Sequence, residues 1–251
     1  MLRNLFCIVF AVVWTSIYFP VVCIAMLVTL DRSASMRFVK GPWARGLLWA
    51  GGARLEVIGA ENVISDRPHI FVSNHQSTID IPTLFAAIPS DFRFVAKKAL
   101  MYVPFIGWYM WLARFVFVDR ARHTEAVASM DKAASQIRGG ISIAVFPEGT
   151  RSETRHVMPF KKGSFALAMK AGVPLVPVAI EGSGLLMPKN SWNITPGPIR
   201  VLIGKPIDPA QFGDDRDALL KAVRDAVVEQ NLALGGLGAS VKAASRAEAT
   251  G

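Results

Sequence analysis

Ile70-Phe71-Val72-Ser73-Asn74-His75-Gln76-Ser77-Thr78-Ile79-Asp80 carries an apolar, strand-like run into a polar turn and on toward a helix. It holds one of the chain's four histidines, with a carboxylate five positions later. Histidine can take and return a proton near neutral pH, and a carboxylate can fix its tautomer and stabilise its charged form. The segment therefore predicts a strand-to-helix junction that carries a proton-transfer pair, His75 and Asp80.

The spacing of this pair restricts its geometry. Side chains five positions apart do not align on a regular helix, where neighbours are three or four apart. We therefore expect His75 in the turn and Asp80 in the first helical turn, folding back toward it. Pro82 suits a first turn because its missing N–H costs little there, and Ser77 or Thr78 can cap the helix.

The sequence disfavours an enzyme nucleophile. It contains no Gly-x-Ser-x-Gly elbow, the strand-to-helix turn that exposes a serine in many hydrolases. The histidine is therefore expected to activate a hydroxyl group that the substrate brings.

Short apolar runs alternate with helical patterns from Ala53 onward. This alternation predicts an α/β fold with a mainly parallel or mixed sheet flanked by helices. The predicted strands are 54–58, 69–73, 92–96, 141–146, 175–180 and 200–203. The predicted helices are 79–87, 103–112, 125–138, 164–171 and 216–230. We predict three parts: an apolar helical membrane-anchoring segment (1–51), the α/β domain (52–234) and a disordered tail rich in Ala, Gly and Ser (235–251).

The composition points toward membranes. Hydrophobic residues make up 52% of the chain, mean hydropathy is +0.36, and 28 basic residues outnumber 19 acidic ones. A positive balance suits an anionic membrane, a phosphorylated substrate or nucleic acid. Nucleic acid is disfavoured because the cations follow apolar runs and no aromatic-basic binding motif is present. The two cysteines, Cys7 and Cys23, indicate neither a disulfide framework nor a metal site.

The N-terminal segment leaves three alternatives open. Residues 4–30 carry no charge and would form a helix of about 40 Å, enough to cross a hydrocarbon core of roughly 30 Å. Pro20 is expected to kink or break it. The alternatives are one kinked span, a helical hairpin that re-enters one leaflet together with residues 36–51, and a cleaved signal peptide. More basic residues follow the apolar run than precede it, which predicts a cytoplasmic main body.

Further polar motifs follow other apolar runs. Phe146-Pro147-Glu148-Gly149-Thr150-Arg151-Ser152 ends a predicted strand. Its glycine allows close backbone approach, and its arginine can hold a phosphate through two hydrogen bonds. Val118-Asp119-Arg120 and Val95-Ala96-Lys97-Lys98 add cations, although each taken singly also fits a solvated strand end.

Together these motifs resemble those of the glycerolipid acyltransferase family. The segments Asn74 to Asp80, Phe117 to Arg120, Phe146 to Ser152 and Val176-Pro177-Val178 occur in the order and approximate spacing of that family, over residues 50–205. The chain is most similar to the bacterial members that acylate 1-acylglycerol 3-phosphate.

This resemblance implies a site and a reaction. His75 would be the general base and Asp80 its orienting partner. The implied substrate-binding residues are Lys97, Arg120, Glu148, Gly149, Thr150 and Arg151, with Arg151 on the acceptor's phosphate. The reaction would move a fatty acyl group from an acyl thioester to the sn-2 hydroxyl of lysophosphatidic acid and form phosphatidic acid. Acyl-CoA or acyl-acyl-carrier-protein would be the co-substrate, and neither a cofactor nor a metal is expected.

Several points stay open at this level. The acceptor could be another lysophospholipid, a lyso-ornithine lipid or glycerol 3-phosphate, and a non-catalytic lipid-binding protein or a thioester hydrolase are further alternatives. The implied location is the cytoplasmic side of the inner membrane. Backbone N–H groups of Ser77 and Thr78 are the suggested donors to the oxyanion of the tetrahedral intermediate.

Overall fold

The computed structural model describes residues 2–29, 34–63, 67–103, 106–118 and 123–240. The α-helices are α1 (Leu2–Thr29), α2 (Ala34–Phe38), α3 (Ala44–Gly51), α4 (Asp80–Ala87), α5 (Ile106–Leu112), α6 (His123–Arg138), α7 (Gly163–Ala171), α8 (Ser183–Leu186) and α9 (Arg216–Ala233). The strands are β1 (Ala53–Ile58), β2 (Ile70–Ser73), β3 (Phe92–Lys97), β4 (Val116–Val118), β5 (Ser142–Val145), β6 (Leu175–Glu181) and β7 (Gly197–Ile203). A π-helical turn, Val39–Trp43, joins α2 to α3, and short 3-10 turns span Ala60–Asn62, Lys98–Tyr102 and Pro209–Phe212.

The seven strands form one sheet in the order β1-β7-β6-β2-β5-β3-β4. Every neighbouring pair is parallel except β6 and β7, which are antiparallel. The predicted α/β fold with a mainly parallel or mixed sheet is therefore confirmed. The central strands β2, β5 and β6 are buried along their whole length, as expected for parallel strands covered on both faces.

Two hydrophobic cores cover the two faces of the sheet. Successive residues of β2 point to opposite faces, so Phe71 enters one core while Ile70 and Val72 enter the other. Side chains of α1, α3 and α4 complete the first core, and those of α6, α7 and α9 complete the second. Each fully buried apolar side chain contributes roughly 1.5–3 kcal/mol of transfer free energy. The cores therefore hold the ends of the central strands in fixed positions.

The sheet order brings two of the sequence motifs together. Strands β2 and β5 are parallel neighbours, with Ile70 opposite Ile143 and Val72 opposite Val145. Their carboxyl ends therefore meet at the same edge of the sheet, where ligands commonly bind in α/β proteins. The turn that contains His75 follows β2, and the segment Phe146 to Ser152 follows β5.

The N-terminal helix α1 runs without interruption through Pro20. The break that we expected at this proline is absent, because α1 is packed against the rest of the chain on both sides of it: Cys7 and Met26 are both buried. Packing of this kind commonly outweighs local helix propensity. The Trp14 indole N–H donates to the Trp43 carbonyl oxygen (3.3 Å) and the Cys7 thiol to that of Ala50 (3.0 Å), so α1 and α3 run antiparallel.

Two further elements differ from the sequence predictions. Strand β4 was not predicted; it has only three residues inside an apolar run, too few for a periodicity of two to stand out. The predicted disordered tail begins at Gly235, yet residues 235–240 pack on the domain. Gly238 N–H donates to the Asn231 side chain (3.0 Å), and Val157 pairs with Ala239. Residues 241–251 lie outside the described ranges.

Candidate active site

His75 and Asp80 form the hydrogen bond that their spacing permits. His75 lies in the turn after β2, and Asp80 is the first residue of α4. The distance from His75 Nδ1 to Asp80 Oδ2 is 2.8 Å. The Asp80 side chain is fully buried, whereas 15% of the His75 side chain is exposed. Because Nδ1 faces the carboxylate, Nε2 is the ring nitrogen left for a substrate proton.

The same carboxylate oxygen closes the turn. Asp80 Oδ2 also accepts hydrogen bonds from the backbone N–H groups of Gln76 and Ser77, each at 2.8 Å. This arrangement corrects two predictions. Neither Ser77 nor Thr78 is the helix N-cap, which is Ile79 without a side-chain cap. The Ser77 N–H points at Asp80, so it is not a donor to the reaction's oxyanion.

Asn74 fixes the start of the turn. Its side-chain amide donates to the carbonyl oxygen of Ile180 (2.9 Å) and accepts from the Ile180 N–H (2.8 Å). The amide thereby replaces one rung of the ladder between β2 and β6 at the point where β2 ends. The sequence showed Asn74 only as part of a motif; its structural role needs the neighbouring strand, which is about 100 residues away in the chain.

The loop after β5 holds the backbone of His75. Its Ser152 N–H donates to the His75 carbonyl oxygen (2.7 Å), and the His75 N–H donates to the carboxyl oxygen Oε1 of Glu148 (3.2 Å). The side chain of Arg151 reaches the same turn, because its Nη1 donates to Thr78 Oγ1 at 2.8 Å. The two motifs therefore form one site.

Glu148 has a different position from the one that the resemblance implied. Instead of facing a substrate, its carboxyl lies beneath His75 and is only 3% exposed. Burial raises the pKa of Glu148 to about 8; the backbone hydrogen bonds from His75 and Met158 act in the opposite direction, and the nearby Asp80 charge adds to the rise. Glu148 therefore holds the backbone of His75 in position, and its burial favours the protonated form of its carboxyl.

Phe146 supports the histidine ring. The rings of His75 and Phe146 are stacked, with centroids 3.9 Å apart and planes 10° apart. Phe94 stacks on Phe146 in turn, at 5.5 Å. With one ring nitrogen on Asp80 and one face on Phe146, the imidazole has little freedom to rotate. Phe146 belongs to a sequence motif, but its stacking on His75 could not be predicted, because residue spacing does not encode ring stacking.

The remaining predicted substrate-binding residues differ in how far the structure describes them. Gly149 and Thr150 are exposed at the mouth of the site, and Gly149 has a φ of +74°, which favours glycine. Lys97 is the last residue of β3, and its side chain is not among the described ones. Arg120 lies outside the described residues. The structure thus brings His75, Asp80 and Arg151 together and leaves the other two cations as predictions.

Two cavities meet at His75 and Phe146. The first has a volume of about 360 Å³ and is almost entirely apolar; Phe19 and Val22 of α1, Phe85 of α4 and other apolar residues line it. The second has about 580 Å³ and opens toward Gly149 and Lys161. Both volumes lie in the range of small-molecule sites. Among the described residues, no three His, Cys, Asp or Glu side chains cluster as metal ligands would.

Comparisons with known proteins identify the family. A family model described as Acyltransferase matches residues 54–181. The chain is 33% identical over 229 residues to a 1-acyl-sn-glycerol-3-phosphate acyltransferase of Pseudomonas aeruginosa, covering 89% of this chain and 86% of that one. It is 37% identical over 178 residues to the chloroplastic 1-acyl-sn-glycerol-3-phosphate acyltransferase BAT2 of Brassica napus; this match covers 70% of the chain and spans only 50% of that relative.

A solved structure agrees with the sequence comparison. The crystal structure of the 1-acyl-sn-glycerophosphate (LPA) acyltransferase PlsC from Thermotoga maritima superposes with a TM-score of 0.82 at 31% identity. The match covers 95% of this chain and 97% of that one, so it includes the N-terminal helices as well as the sheet. The predicted resemblance is confirmed, and the chain belongs to the acyltransferase family.

Proposed function

We propose that the chain transfers a fatty acyl group from an acyl thioester to the sn-2 hydroxyl of 1-acylglycerol 3-phosphate and forms phosphatidic acid. The observation that carries this proposal is the position of His75: its ring, held 2.8 Å from a buried carboxylate, lies where an apolar cavity meets a second cavity whose lining includes Lys161 and Ser164. A lipid acyl chain needs the first cavity and a polar acceptor the second. The relatives' names support the choice of acceptor.

His75 acts as the general base in this proposal. Its Nε2 takes the proton as the acceptor hydroxyl attacks the thioester carbonyl, and Asp80 stabilises the charged ring. The tetrahedral intermediate collapses with cleavage of the C–S bond, and the proton passes to the departing thiolate. General base catalysis typically contributes a factor of about 10² to 10⁴. Because thiols have a pKa near 8.5, the thiolate leaves without a strong acid.

The acyl chain of the donor would occupy the apolar cavity. Its walls come from α1, α4, α5 and β3, and aromatic side chains such as Phe85 and Tyr109 line its volume of about 360 Å³. The thioester carbon would then lie near His75 at the mouth. Acyl-CoA and acyl-acyl-carrier-protein both satisfy this arrangement, since they share the thioester and the chain.

The acceptor's phosphate would bind at Arg151, with Arg120 and Lys97 as further cations. A guanidinium can hold a phosphate through two parallel hydrogen bonds. Arg151 already contacts Thr78 in the turn that contains His75, which places its guanidinium on the same turn as the base.

We also propose that the enzyme sits on the cytoplasmic leaflet through a helical hairpin of α1 to α3. Helix α1 is long and apolar enough to cross a membrane and is mostly exposed. However, Asn4 bonds to Asn193 of the domain, and Val22 and Met26 are buried in its core. These contacts lie about 33 Å apart along the helix. A helix held against the domain over that length favours a hairpin within one leaflet over a span.

Mass spectrometry of the lipids formed from a panel of acceptors tests the proposal. Purified protein would receive lysophosphatidic acid, other lysophospholipids, lyso-ornithine lipid or glycerol 3-phosphate, each with acyl-CoA and with acyl-acyl-carrier-protein. We expect phosphatidic acid as the main product, with no release of free fatty acid. Preference for another acceptor would overturn the substrate, and thioester consumption without any acceptor would indicate a hydrolase.

A further inference from the structure

Two adjacent lysines in the segment before α7 have different surroundings. The Lys162 ammonium donates to the carboxylate of Asp217 at 2.7 Å, on the side of the domain that carries α9. Lys161 extends over the loop after β5. Its backbone N–H donates to the Pro147 carbonyl oxygen (2.9 Å), and its Nζ lies 2.7 Å from the point where a Cβ on Gly149 would stand. The absence of a side chain at Gly149 is what makes room for the ammonium.

Lys161 carries the positive charge in the larger cavity at His75. The described residues that line this cavity are apolar or neutral except for the histidine and Lys161. Within the described part of the chain, no carboxylate lies within ion-pair distance of Lys161, in contrast to Lys162. The Lys161 side chain is exposed at the edge of the cavity, so its ammonium is accessible to an anion that enters from solvent.

Arg151 does not line either cavity in this state. Its guanidinium is bound to Thr78, and it is absent from the residues that border the two cavities at His75. The arginine therefore lies beside the site, while Lys161 lies inside the same cavity as the base. An acceptor whose hydroxyl reaches His75 through this cavity therefore lies in the same cavity as the Lys161 ammonium.

We propose that Lys161 binds the phosphate of the acceptor together with Arg151 and thereby helps to select phosphorylated over unphosphorylated glycerolipids. This inference rests on the proposed function and deepens it by assigning a substrate-binding role to a residue outside the four family motifs. A phosphate could also come from the donor, since coenzyme A and the prosthetic group of a carrier protein carry phosphate. The two sources share their chemistry, and separate titrations of acceptor and donor distinguish them.

The kinetic test compares Lys161→Met, Lys161→Arg and the matched control Lys162→Met in the full chain. We expect Lys161→Met to raise the KM for 1-oleoylglycerol 3-phosphate by roughly 10- to 100-fold, the usual size of one hydrogen bond to a charged group. We expect its kcat to stay within a few-fold and the KM for the thioester to be unchanged. Lys161→Arg should recover most of the loss, and Lys162→Met should stay within twofold of wild type. An unchanged acceptor KM, or a defect seen only with the thioester, would overturn the inference.

A binding test separates this inference from the proposed function. In the His75→Ala background, which cannot turn over, we expect Lys161→Met to weaken binding of 1-oleoylglycerol 3-phosphate in detergent micelles and to leave binding of 1-oleoylglycerol unchanged. Equal weakening of both lipids would indicate a general structural role and overturn the inference. If wild type failed to acylate lysophosphatidic acid but this phosphate-dependent difference remained, the proposed function would fail and the Lys161 site would stand.

Discussion

Asp80 holds the His75 ring at 2.8 Å with the same carboxylate oxygen that accepts the backbone N–H groups of Gln76 and Ser77. One oxygen thus fixes both the base and the turn that carries it. Since the Asp80 side chain is fully buried, solvent cannot replace either interaction. Orientation of the ring and stability of the turn are therefore coupled, and substitutions at Asp80 can separate them.

Asp80→Asn should lower activity far more than stability. The amide oxygen can still accept the backbone N–H groups, but it no longer stabilises a charged imidazole. We expect a loss in kcat of about 10²- to 10⁴-fold. Asp80→Ala should in addition destabilise the protein, because two buried N–H groups lose their acceptor at about 1–3 kcal/mol each. Rates of phosphatidic acid formation and thermal unfolding measure the two effects. Near-wild-type turnover by the Asn variant would contradict the assignment.

His75→Ala should abolish acyl transfer and leave the fold intact, because the ring nitrogen that takes the proton is removed while the turn keeps its Asp80 contacts. The control is His156→Ala, whose ring contacts only Thr154 among the hydrogen bonds of the described residues. We expect full activity from the control. Product formation measured by lipid mass spectrometry, with circular dichroism as a check on folding, gives the answer. Substantial turnover by His75→Ala would remove the general-base role.

Phe146→Leu should reduce kcat about tenfold, because the histidine ring loses its stacking partner and samples unproductive orientations. An aromatic pair contributes about 0.5–1.5 kcal/mol beyond the burial of its surface. The matched control is Phe165→Leu, a fully buried ring on the opposite face of the sheet. The control should lose stability but keep its activity per folded molecule. Equal losses of activity in both variants would mean that stability, and not ring orientation, is responsible.

Glu148 should make the protein less stable as the pH rises. Its pKa is raised from 4.5 to about 8 in the folded state, so the folded protein binds a proton that the unfolded chain releases. The stability that this proton provides is complete below pH 4.5 and is lost as the pH rises through about 8. The slope is at most about 1.4 kcal/mol per pH unit.

Glu148→Gln should remove this slope, because its amide stays neutral while its oxygen can still accept the His75 N–H. Denaturant unfolding in detergent at several values between pH 5 and pH 8 compares the two proteins. As the pH rises from 5 to 8, the free energy of unfolding of wild type should fall relative to that of the variant. Curves that run parallel over the whole range would show that Glu148 is ionised in the folded state.

Lysines on the exposed face of α1 should weaken membrane binding. The side chains of Val13 and Ile24 are 49% and 59% exposed. If the hairpin is embedded in one leaflet, the variant with Val13→Lys and Ile24→Lys must either place two ammonium groups in the hydrocarbon or leave the membrane. We therefore expect roughly a tenfold or larger loss of vesicle binding. The control, Leu232→Lys in α9, changes a side chain that is 54% exposed and should bind as wild type does. Unchanged binding of the double variant would exclude this face of α1.

Local sequence patterns predicted most strands of the sheet and the turn that contains His75. Alternating apolar runs indicated six of the seven strands, and the spacing of five permitted the bond between His75 and Asp80 without showing that it forms. Contacts between distant segments could not be predicted in this way. The amide of Asn74 on Ile180, the stack of Phe146 on His75 and the burial of Glu148 each depend on which strands become neighbours. The order of the strands in the sheet follows from how the two faces of the whole sheet pack against the helices, and a single motif does not encode this packing.

The resemblance predicted which segments act together, but it did not predict the direction of each side chain. Glu148 and Arg151 are three positions apart in one motif, yet the carboxyl of the first points under the turn and the guanidinium of the second points across it. The reversal between them occurs at Gly149, where φ is +74°. Membership of one motif therefore does not determine on which side of the turn a side chain lies.

Helix α1 has a consequence for any attempt to make this protein soluble. Thr15, Tyr18, Phe19 and Val22 belong to the wall of the apolar cavity beside His75, so the element that meets lipid is also a part of the pocket. Truncation before residue 34 would remove the wall of this cavity that α1 provides. If the proposed function is correct, such a fragment would retain its general base and its phosphate-binding residues but would lose its selectivity for acyl-chain length. Membrane attachment and the choice of fatty acid would then be properties of a single helix.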